Sequence, residues 1–340
     1  MRSGALDAPG GRFMLSRRMK AIRVGKPGGP EVMELVELPT PRPAAGEVTA
    51  VVEAAGVNFI DIYHRSGAYP REAPFLLGEE GAGIVEAIGQ GVTGVSLGDR
   101  VAWASATGSY ATHVVVRADR IVPVPARVTS QQAAAVMLQG MTADYLARST
   151  FPLARGQTCV VHAAAGGVGL LLVQIARRAG ARVIGTTSTD AKARLAREAG
   201  ADEILLHGQG SLEEGIRRLT EGRGADVVYD SIGAATFEQS LLSLRPRGML
   251  VLYGQSSGRV PPVDLQVLAA RGSLLETRPT LRDYVATRAE LVERAERVLE
   301  AVGAGELSVR IHATYPLARA ADAHRDLASR ATTGKLLLVP

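Results

Sequence analysis

The sequence predicts an α/β protein in which a mostly β region precedes a doubly wound parallel sheet. Short apolar runs that alternate at period two dominate up to about residue 138, and apolar strands alternate with helical stretches from about residue 140. A glycine-rich turn follows the first of these later strands. Because 340 residues are about twice a typical domain length, we expect two domains that share a cleft.

The composition limits the class of protein and the kind of site. With 46% apolar and 21% charged residues the chain is typical of globular proteins. The net charge of +5 comes with short basic runs that lack interleaved aromatic residues, which argues against a nucleic-acid partner. No run approaches the roughly 18 to 20 apolar residues of a membrane span. The single cysteine, Cys159, excludes a zinc site built on several thiolates and favours a reducing cytoplasm.

The amino-terminal region divides into an extension and a set of short strands. Residues 1–18 are polar and glycine-containing, so we expect a disordered extension and take Met19 as the first residue of the fold. Residues 47–53 and 83–88 alternate as strands do, and residues 56–70 are predicted as a loop or a short helix.

From residue 142 onward the spacing predicts a parallel sheet with helical crossovers. The six predicted strands are residues 158–162, 182–186, 203–206, 226–230, 249–254 and 273–277. The predicted helices between them are residues 168–179, 190–199 and 234–244, the first two closed by Gly180 and Gly200. We expect a helix over residues 288–302, a strand over 311–315, a helix through Ser329 and an apolar final strand over 335–339.

The glycine-rich turn is the strongest single motif. Ala165, Gly166, Gly167, Val168 and Gly169 lie between an apolar strand and an apolar helix, and a second strand follows at the spacing of a dinucleotide fingerprint. Small residues let the backbone approach a pyrophosphate, and the helix amino terminus offers free N–H groups to it. This context predicts a dinucleotide cofactor.

The end of the second strand predicts which dinucleotide binds. NAD-binding proteins carry an acidic residue about 20 residues after the glycines, where it holds the ribose hydroxyls. This chain has Thr186, Thr187 and Ser188 there, with Lys192 four residues beyond Ser188. Asp190 is expected to be the cap of the following helix. We therefore expect NADPH as the cofactor.

Several motifs together resemble one family. The chain is similar to bacterial quinone oxidoreductases and the zeta-crystallin group, which are zinc-independent members of the medium-chain dehydrogenase/reductase superfamily. The resemblance runs from about Met19 to Pro340 without large gaps. The segments that carry it are residues 56–70, 77–83, 98–101, 163–169 and 329–332.

The resemblance implies a split fold and no catalytic metal. A GroES-like catalytic domain would comprise residues 19–141 and 283–340, and a Rossmann domain would comprise residues 142–282. Asn58 and Glu79 stand where zinc-dependent relatives carry a cysteine and a histidine ligand, and the short connection between residues 101 and 110 leaves no room for a structural zinc lobe. Quinones and enones accept hydride with less assistance than simple carbonyls, because their developing charge is delocalised.

The resemblance also implies the roles of individual residues. Three residues would line the acceptor pocket: Asn58, Tyr63 and Tyr69. Thr142 would lie near the nicotinamide ribose, and Ser188, Lys192 and Arg330 would surround the 2′-phosphate. Gly254, Gln255 and Ser256 would lie near the nicotinamide. His207 replaces a tyrosine that close bacterial relatives carry on the adenine side.

We therefore expect an NADPH-dependent quinone reductase that transfers hydride, or one electron, without metal. One alternative is an NADPH-dependent enone or 2-alkenal double-bond reductase. Another is a non-catalytic NADPH- or RNA-binding protein of the crystallin type. The resemblance further implies a homodimer formed through the edge of the Rossmann sheet.

Overall fold

The computed structural model describes residues 18–104 and 106–340. The predicted extension therefore lies outside the described residues except for Arg18, which already belongs to the first strand. The amino-terminal region is mostly β, and its only described α-helix ends at Gly67, which adopts a φ of 82°. Its strands are β1 Arg18–Val24, β2 Met33–Pro39, β3 Glu47–Val57, β4 Phe75–Leu76, β5 Glu80–Ile88, β6 Arg100–Ala104, β7 His113–Arg117 and β8 Ile121–Pro123, and its helix is α1 Phe59–Ser66.

The central region alternates strands and helices as the spacing predicts. In chain order its elements are α2 Ser130–Tyr145, β9 Thr158–Val161, α3 Gly167–Arg178, β10 Arg182–Thr187, α4 Asp190–Glu198, β11 Glu203–Leu206, α5 Leu212–Leu219, β12 Ala225–Asp230, α6 Phe237–Leu242, β13 Leu244–Leu252, α7 Gln266–Ala270 and β14 Leu275–Thr277. The carboxy-terminal elements are α8 Leu281–Tyr284, α9 Arg288–Gly303, β15 Ile311–Pro316, α10 Ala320–Ala328 and β16 Lys335–Val339.

The doubly wound sheet is confirmed by the strand order. Six parallel strands lie in the order β11-β10-β9-β12-β13-β14, which reverses direction beside β9. The carboxyl ends of the strands next to such a reversal form a crevice where nucleotides bind. The glycine-rich turn after β9 therefore lies at the crevice.

The mostly β region includes strands from both ends of the chain. Its larger sheet has the order β15-β16-β3-β5-β6-β8, with β7 also paired to β3, and β16 runs antiparallel to β3 at Leu336 and Val57. A smaller sheet has the order β2-β1-β4. The carboxy terminus thus returns to the first region and completes its sheet.

Helix α2 connects the two regions. It contacts α3 and α9 as well as β5 and β3, and its fully buried residues, among them Met137 and Met141, belong to the core cluster that also contains residues of α3 and α9. The helix runs through the predicted domain boundary between residues 141 and 142. A separate cluster fills the other face of the parallel sheet, around Val160, Ile184 and Val228.

Four local predictions are wrong in detail. The strand predicted over residues 249–254 runs instead from Leu244 to Leu252, so Gly254 lies beyond its end. The cap of α4 is Thr189, whose side chain accepts from the backbone N–H of Lys192 at 3.3 Å, because Asp190 is already the first helical residue. Helix α6 begins at Phe237 and not at residue 234, since the Thr236 hydroxyl is tied to Asp230 in the preceding turn. Strand β14 begins at Leu275, because Gly272 and Ser273 form a turn with positive φ.

Candidate active site

The turn after β9 has the backbone geometry of a pyrophosphate cradle. Ala163 adopts a φ of 49°, and Gly166 is the N-cap of α3. A Cβ atom on Gly169 would collide with the carbonyl oxygen of Ala163, so a larger residue would force α3 away from the turn. A Cβ atom on Gly167 would collide with the side chain of Gln139. The residues present fit a bound pyrophosphate at this helix amino terminus.

The three predicted 2′-phosphate residues lie together. The Lys192 ammonium donates to the Ser188 hydroxyl at 3.3 Å and to the backbone carbonyl of Arg330 at 2.5 Å. Arg330 reaches this position because the backbone N–H of Gly334 donates to the Ala165 carbonyl at 3.1 Å, which fixes the carboxy-terminal segment beside the turn. Partial burial lowers the pKa of Lys192. The Lys192 ammonium supplies a cation of the kind that binds a phosphate group, and the backbone of Arg330 lies directly beside it.

His207 lies beside a cavity at the far end of the crevice. Its Nε2 is 3.2 Å from the Thr186 hydroxyl, which is also 2.8 Å from Nδ1 of the buried His162. Burial lowers the pKa of both imidazoles, so both are neutral at pH 7. A cavity of about 320 Å³ is lined by residues 205–212 together with parts of α5 and the segment before α6. It is large enough to accept a planar heterocycle.

The predicted nicotinamide residues lie on two elements: Thr142 on α2, and residues 254–256 in the loop that follows β13. The Thr142 hydroxyl donates to the Leu138 carbonyl at 2.7 Å within α2. A Cβ atom on Gly254 would lie 2.5 Å from the Ser231 carbonyl oxygen, and the backbone N–H of Ser256 donates to the same oxygen at 3.2 Å. The loop is therefore held close to the end of β12, where a side chain at position 254 has no room.

Two of the predicted acceptor residues meet the other domain. Tyr63 and Tyr69 have ring centroids 5.1 Å apart. The Tyr63 hydroxyl accepts from the backbone N–H of Gln255 at 3.3 Å, and the Tyr69 hydroxyl accepts from the Arg278 guanidinium at 3.1 Å. Burial raises the pKa of Tyr63 to about 12, so it stays protonated and able to donate at neutral pH. Sequence reasoning missed Arg278, which directly follows β14.

The third predicted acceptor residue, Asn58, is enclosed in a buried network. Its Nδ2 donates to Glu80 at 2.7 Å, and its Oδ1 accepts from Lys335 at 2.8 Å and from Gln139 at 3.2 Å. Lys335 also pairs with Glu80, and both side chains are almost wholly buried. The Asn58 amide is thus bonded to protein groups on both sides. Sequence reasoning missed this network, although a lysine opening the apolar run 335–339 is a signal of a buried charge.

Glu79, the second position at which the resemblance implies a lost metal ligand, is paired with an arginine. It accepts from Arg71 at 3.0 Å and lies 3.7 Å from His64. Burial and the nearby Arg71 lower the pKa of His64. Within residues 18–104 and 106–340, no group of three or more His, Cys, Asp or Glu side chains is arranged to hold a metal ion. In the same described part of the chain, no helix is long and apolar enough to cross a membrane.

The comparisons with known proteins cover both regions. The family model described as "Alcohol dehydrogenase GroES-like domain" matches residues 44–126, and the model described as "Zinc-binding dehydrogenase" matches residues 167–290. The quinone oxidoreductase of Pseudomonas aeruginosa is 44% identical over 323 residues, which cover 94% of this chain and 99% of that protein. The 2-haloacrylate reductase of a Burkholderia species is 40% identical over 328 residues, with 94% and 98% covered.

Solved structures show the same relationship. The crystal structure of the Escherichia coli quinone oxidoreductase complexed with NADPH superposes with a TM-score of 0.92 at 42% identity, and the match covers 94% of this chain and all of that one. Both the GroES-like sheet and the Rossmann sheet are thus shared over nearly the whole length. The chain belongs to the quinone oxidoreductase family of the medium-chain dehydrogenase/reductase superfamily.

Proposed function

We propose that this protein is an NADPH-dependent quinone reductase that delivers hydride, or one electron, to quinones without a metal ion. The observation that carries the proposal is the hydrogen bond between the Gln255 N–H and the Tyr63 hydroxyl. It brings the loop at residues 254–256, which is expected to contact the nicotinamide, against Tyr63, which is expected to contact the quinone. A nicotinamide and a quinone held by these residues would therefore be adjacent. The relatives named quinone oxidoreductase support the same activity.

The residues present fit NADPH along the whole crevice. The turn at residues 166–169 would hold the pyrophosphate, and Ser188, Lys192 and Arg330 would hold the 2′-phosphate. The cavity beside His207 would take the adenine. Thr142 and residues 254–256 would contact the nicotinamide half. NADPH, when bound, supplies the hydride.

The chain's own contribution to the reduction is hydrogen bonding and positioning. Each phenol of Tyr63 and Tyr69 accepts one hydrogen bond from the Rossmann domain and keeps its own O–H proton to donate. Donation to a quinone oxygen would stabilise the negative charge that develops there. With the hydride counted, the hydroquinone needs one further proton, which comes from solvent. Asn58 acts through its neighbours, because Glu80, Lys335 and Gln139 already bond its amide.

An enone reductase is the second candidate, supported by the similarity to a 2-haloacrylate reductase. Steady-state oxidation of NADPH in the presence of 1,4-naphthoquinone, 2-hexenal and 2-chloroacrylate separates the two candidates. We expect kcat/KM to be highest for the quinone. A higher kcat/KM for either alkene would assign the protein to the double-bond reductases, and no oxidation with any acceptor would favour a non-catalytic role.

The proposal includes a cytoplasmic homodimer. Strand β14 forms one edge of the six-stranded sheet, and Leu275 on that strand is 47% exposed, so the edge offers backbone groups and apolar surface to a second copy. A reducing compartment suits the single buried thiol of Cys159. Light scattering after size exclusion tests the dimer, and Leu275→Lys should shift it towards monomer.

A further inference from the structure

Arg278 lies beside the two predicted acceptor tyrosines because of the sheet register. Thr277, the last residue of β14, pairs with Val251 on β13, so both strands end at the same edge. Gln255 follows β13 and Arg278 follows β14. The two residues reach Tyr63 and Tyr69 side by side, and they place one guanidinium next to the pair of phenols.

The Arg278 guanidinium carries a charge that no carboxylate neutralises. Across the described residues, no Asp or Glu oxygen lies within 4.0 Å of it, whereas Arg71 is paired with Glu79 at 3.0 Å. The nearest carboxylate along the chain is Glu276, two residues before Arg278 on β14, and it forms no ion pair with Arg278. Arg282 and Asp283 follow Arg278 in the chain and lie 3.9 Å from each other. Arg278 is solvent-exposed, and only one of its five N–H groups is bonded within the described part of the chain, to Tyr69.

We propose that Arg278 is the anion-recognising group of the acceptor site, so that the enzyme prefers quinones with an acidic substituent, a carboxylate or a sulfonate. This inference rests on the proposed quinone reductase activity. The Tyr69 hydroxyl would bond the quinone oxygen while the remaining N–H groups of Arg278 bond the acidic substituent. The reaction itself is unchanged: a hydride from NADPH and one solvent proton convert the quinone to its hydroquinone and leave NADP⁺.

Two matched acceptors test the inference: 1,4-naphthoquinone and 1,4-naphthoquinone-2-sulfonate. The variants are Arg278→Gln, which removes the charge, and Arg278→Lys, which keeps it. Arg282→Gln is the control for a nearby exposed arginine. We expect Arg278→Gln to lower kcat/KM for the sulfonate roughly tenfold more than for the parent quinone, because only the sulfonate loses a charge-assisted hydrogen bond. The effect should be no larger than this, since solvent screens an exposed charge. Arg278→Lys should keep most of the preference, and Arg282→Gln should leave the ratio unchanged.

A binding measurement separates this inference from the proposed function. Calorimetric titration of the NADP⁺ complex with the sulfonate should give tighter binding to the wild type than to Arg278→Gln, whether or not the quinone is turned over. Equal losses for both quinones, with equal binding of the sulfonate to wild type and Arg278→Gln, would overturn anion recognition. Absence of quinone turnover in the wild type, with selective sulfonate binding retained, would instead overturn the reductase assignment alone.

Discussion

Lys335 donates a hydrogen bond to Asn58 Oδ1 at 2.8 Å, although the two residues are 277 positions apart in the sequence. Lys335 also pairs with Glu80, and burial lowers the pKa of the ammonium while Glu80 raises it. Asn58 is one of the two positions at which the resemblance implies that a metal ligand has been replaced. A buried ion pair thus stabilises the geometry there.

Removal of this ammonium should destabilise the fold. Lys335→Met leaves the Glu80 carboxylate buried without its counterion, and breaking a buried pair in this way typically costs about 3 to 5 kcal/mol. Urea denaturation followed by circular dichroism measures the loss. The double variant Lys335→Met/Glu80→Gln removes both charges and should recover part of it. Equal stability of Lys335→Met and the wild type would contradict the pairing.

The 2′-phosphate cluster predicts a preference for NADPH over NADH. Lys192→Ala and Arg330→Ala should each raise the dissociation constant for NADPH roughly tenfold or more, which corresponds to about 1.4 kcal/mol per tenfold step. The dissociation constant for NADH should change little. Added salt should reduce the ratio of NADH to NADPH dissociation constants in the wild type, because it screens the charges around the 2′-phosphate. Arg194→Ala, on the exposed side of the same helix as Lys192, is the matched control. The prediction fails if fluorescence titration gives the wild type equal dissociation constants for both cofactors.

The position of the Tyr69 hydroxyl predicts that its removal lowers quinone turnover without lowering cofactor affinity. Tyr69→Phe removes a donor to the quinone and should lower kcat by a factor that corresponds to roughly 1 to 3 kcal/mol, with NADPH affinity nearly unchanged. Asn58→Ala should also lower turnover but should lower stability as well, because Lys335 and Glu80 each lose a partner. Wild-type kinetics for Tyr69→Phe with several quinones would remove this tyrosine from the site.

The sequence predicted the elements of the parallel sheet better than the buried contacts between distant parts of the chain. The turn after β9 could be predicted because strand, glycines and helix are consecutive, and the strand order follows from right-handed crossovers. The Lys335–Asn58 bond has no local signal, since its partners meet only when β16 pairs with β3. Helix α2 was not predicted because it is buried on nearly all sides and so lacks a polar face. Arg278 escaped notice because its contact with Tyr69 depends on the register of β14.

His324 predicts how stability depends on pH. Burial, helped by the neighbouring Arg65, lowers its pKa to about 3. Since the Arg65 guanidinium can only donate, Nδ1 accepts and the neutral ring carries its proton on Nε2, which faces the Tyr110 hydroxyl at 3.2 Å. As pH falls below about 6.5, this histidine is therefore protonated in the unfolded state while it stays neutral in the folded state.

The resulting stabilisation is present above pH 6.5 and is lost as pH falls towards 3, at up to roughly 1.4 kcal/mol per pH unit. Asp61, whose pKa burial raises to about 8, acts in the opposite direction over this range, so the measured quantity is the difference in unfolding free energy, from urea denaturation, between the wild type and His324→Gln, which should shrink from pH 7 to pH 5. His324→Gln keeps one donor and one acceptor but does not titrate, so it lacks the histidine's contribution over the same range. Parallel pH profiles for the two proteins would count against the assignment.

By the resemblance, Asn58 and Glu79 stand where zinc-dependent relatives carry a cysteine and a histidine ligand. We therefore expect activity that does not depend on a metal ion. Glu79 is already neutralised by Arg71, and the Asn58 amide is bonded to Glu80 and Lys335. Quinone turnover should be the same before and after dialysis against EDTA. Stoichiometric zinc by elemental analysis, together with activity that is lost on chelation and restored by zinc, would reverse this prediction.

The return of β16 to β3 has a consequence for how the chain matures on the ribosome. The strand edge at residues 55–57 emerges early but stays without its partner until residues 336–338 have been synthesised. The whole Rossmann domain is made in the interval and can fold first, because its six strands are consecutive in sequence. An exposed edge of this kind pairs readily with other chains. Nascent chains that stall before residue 336 should therefore depend on chaperones more than the finished protein does.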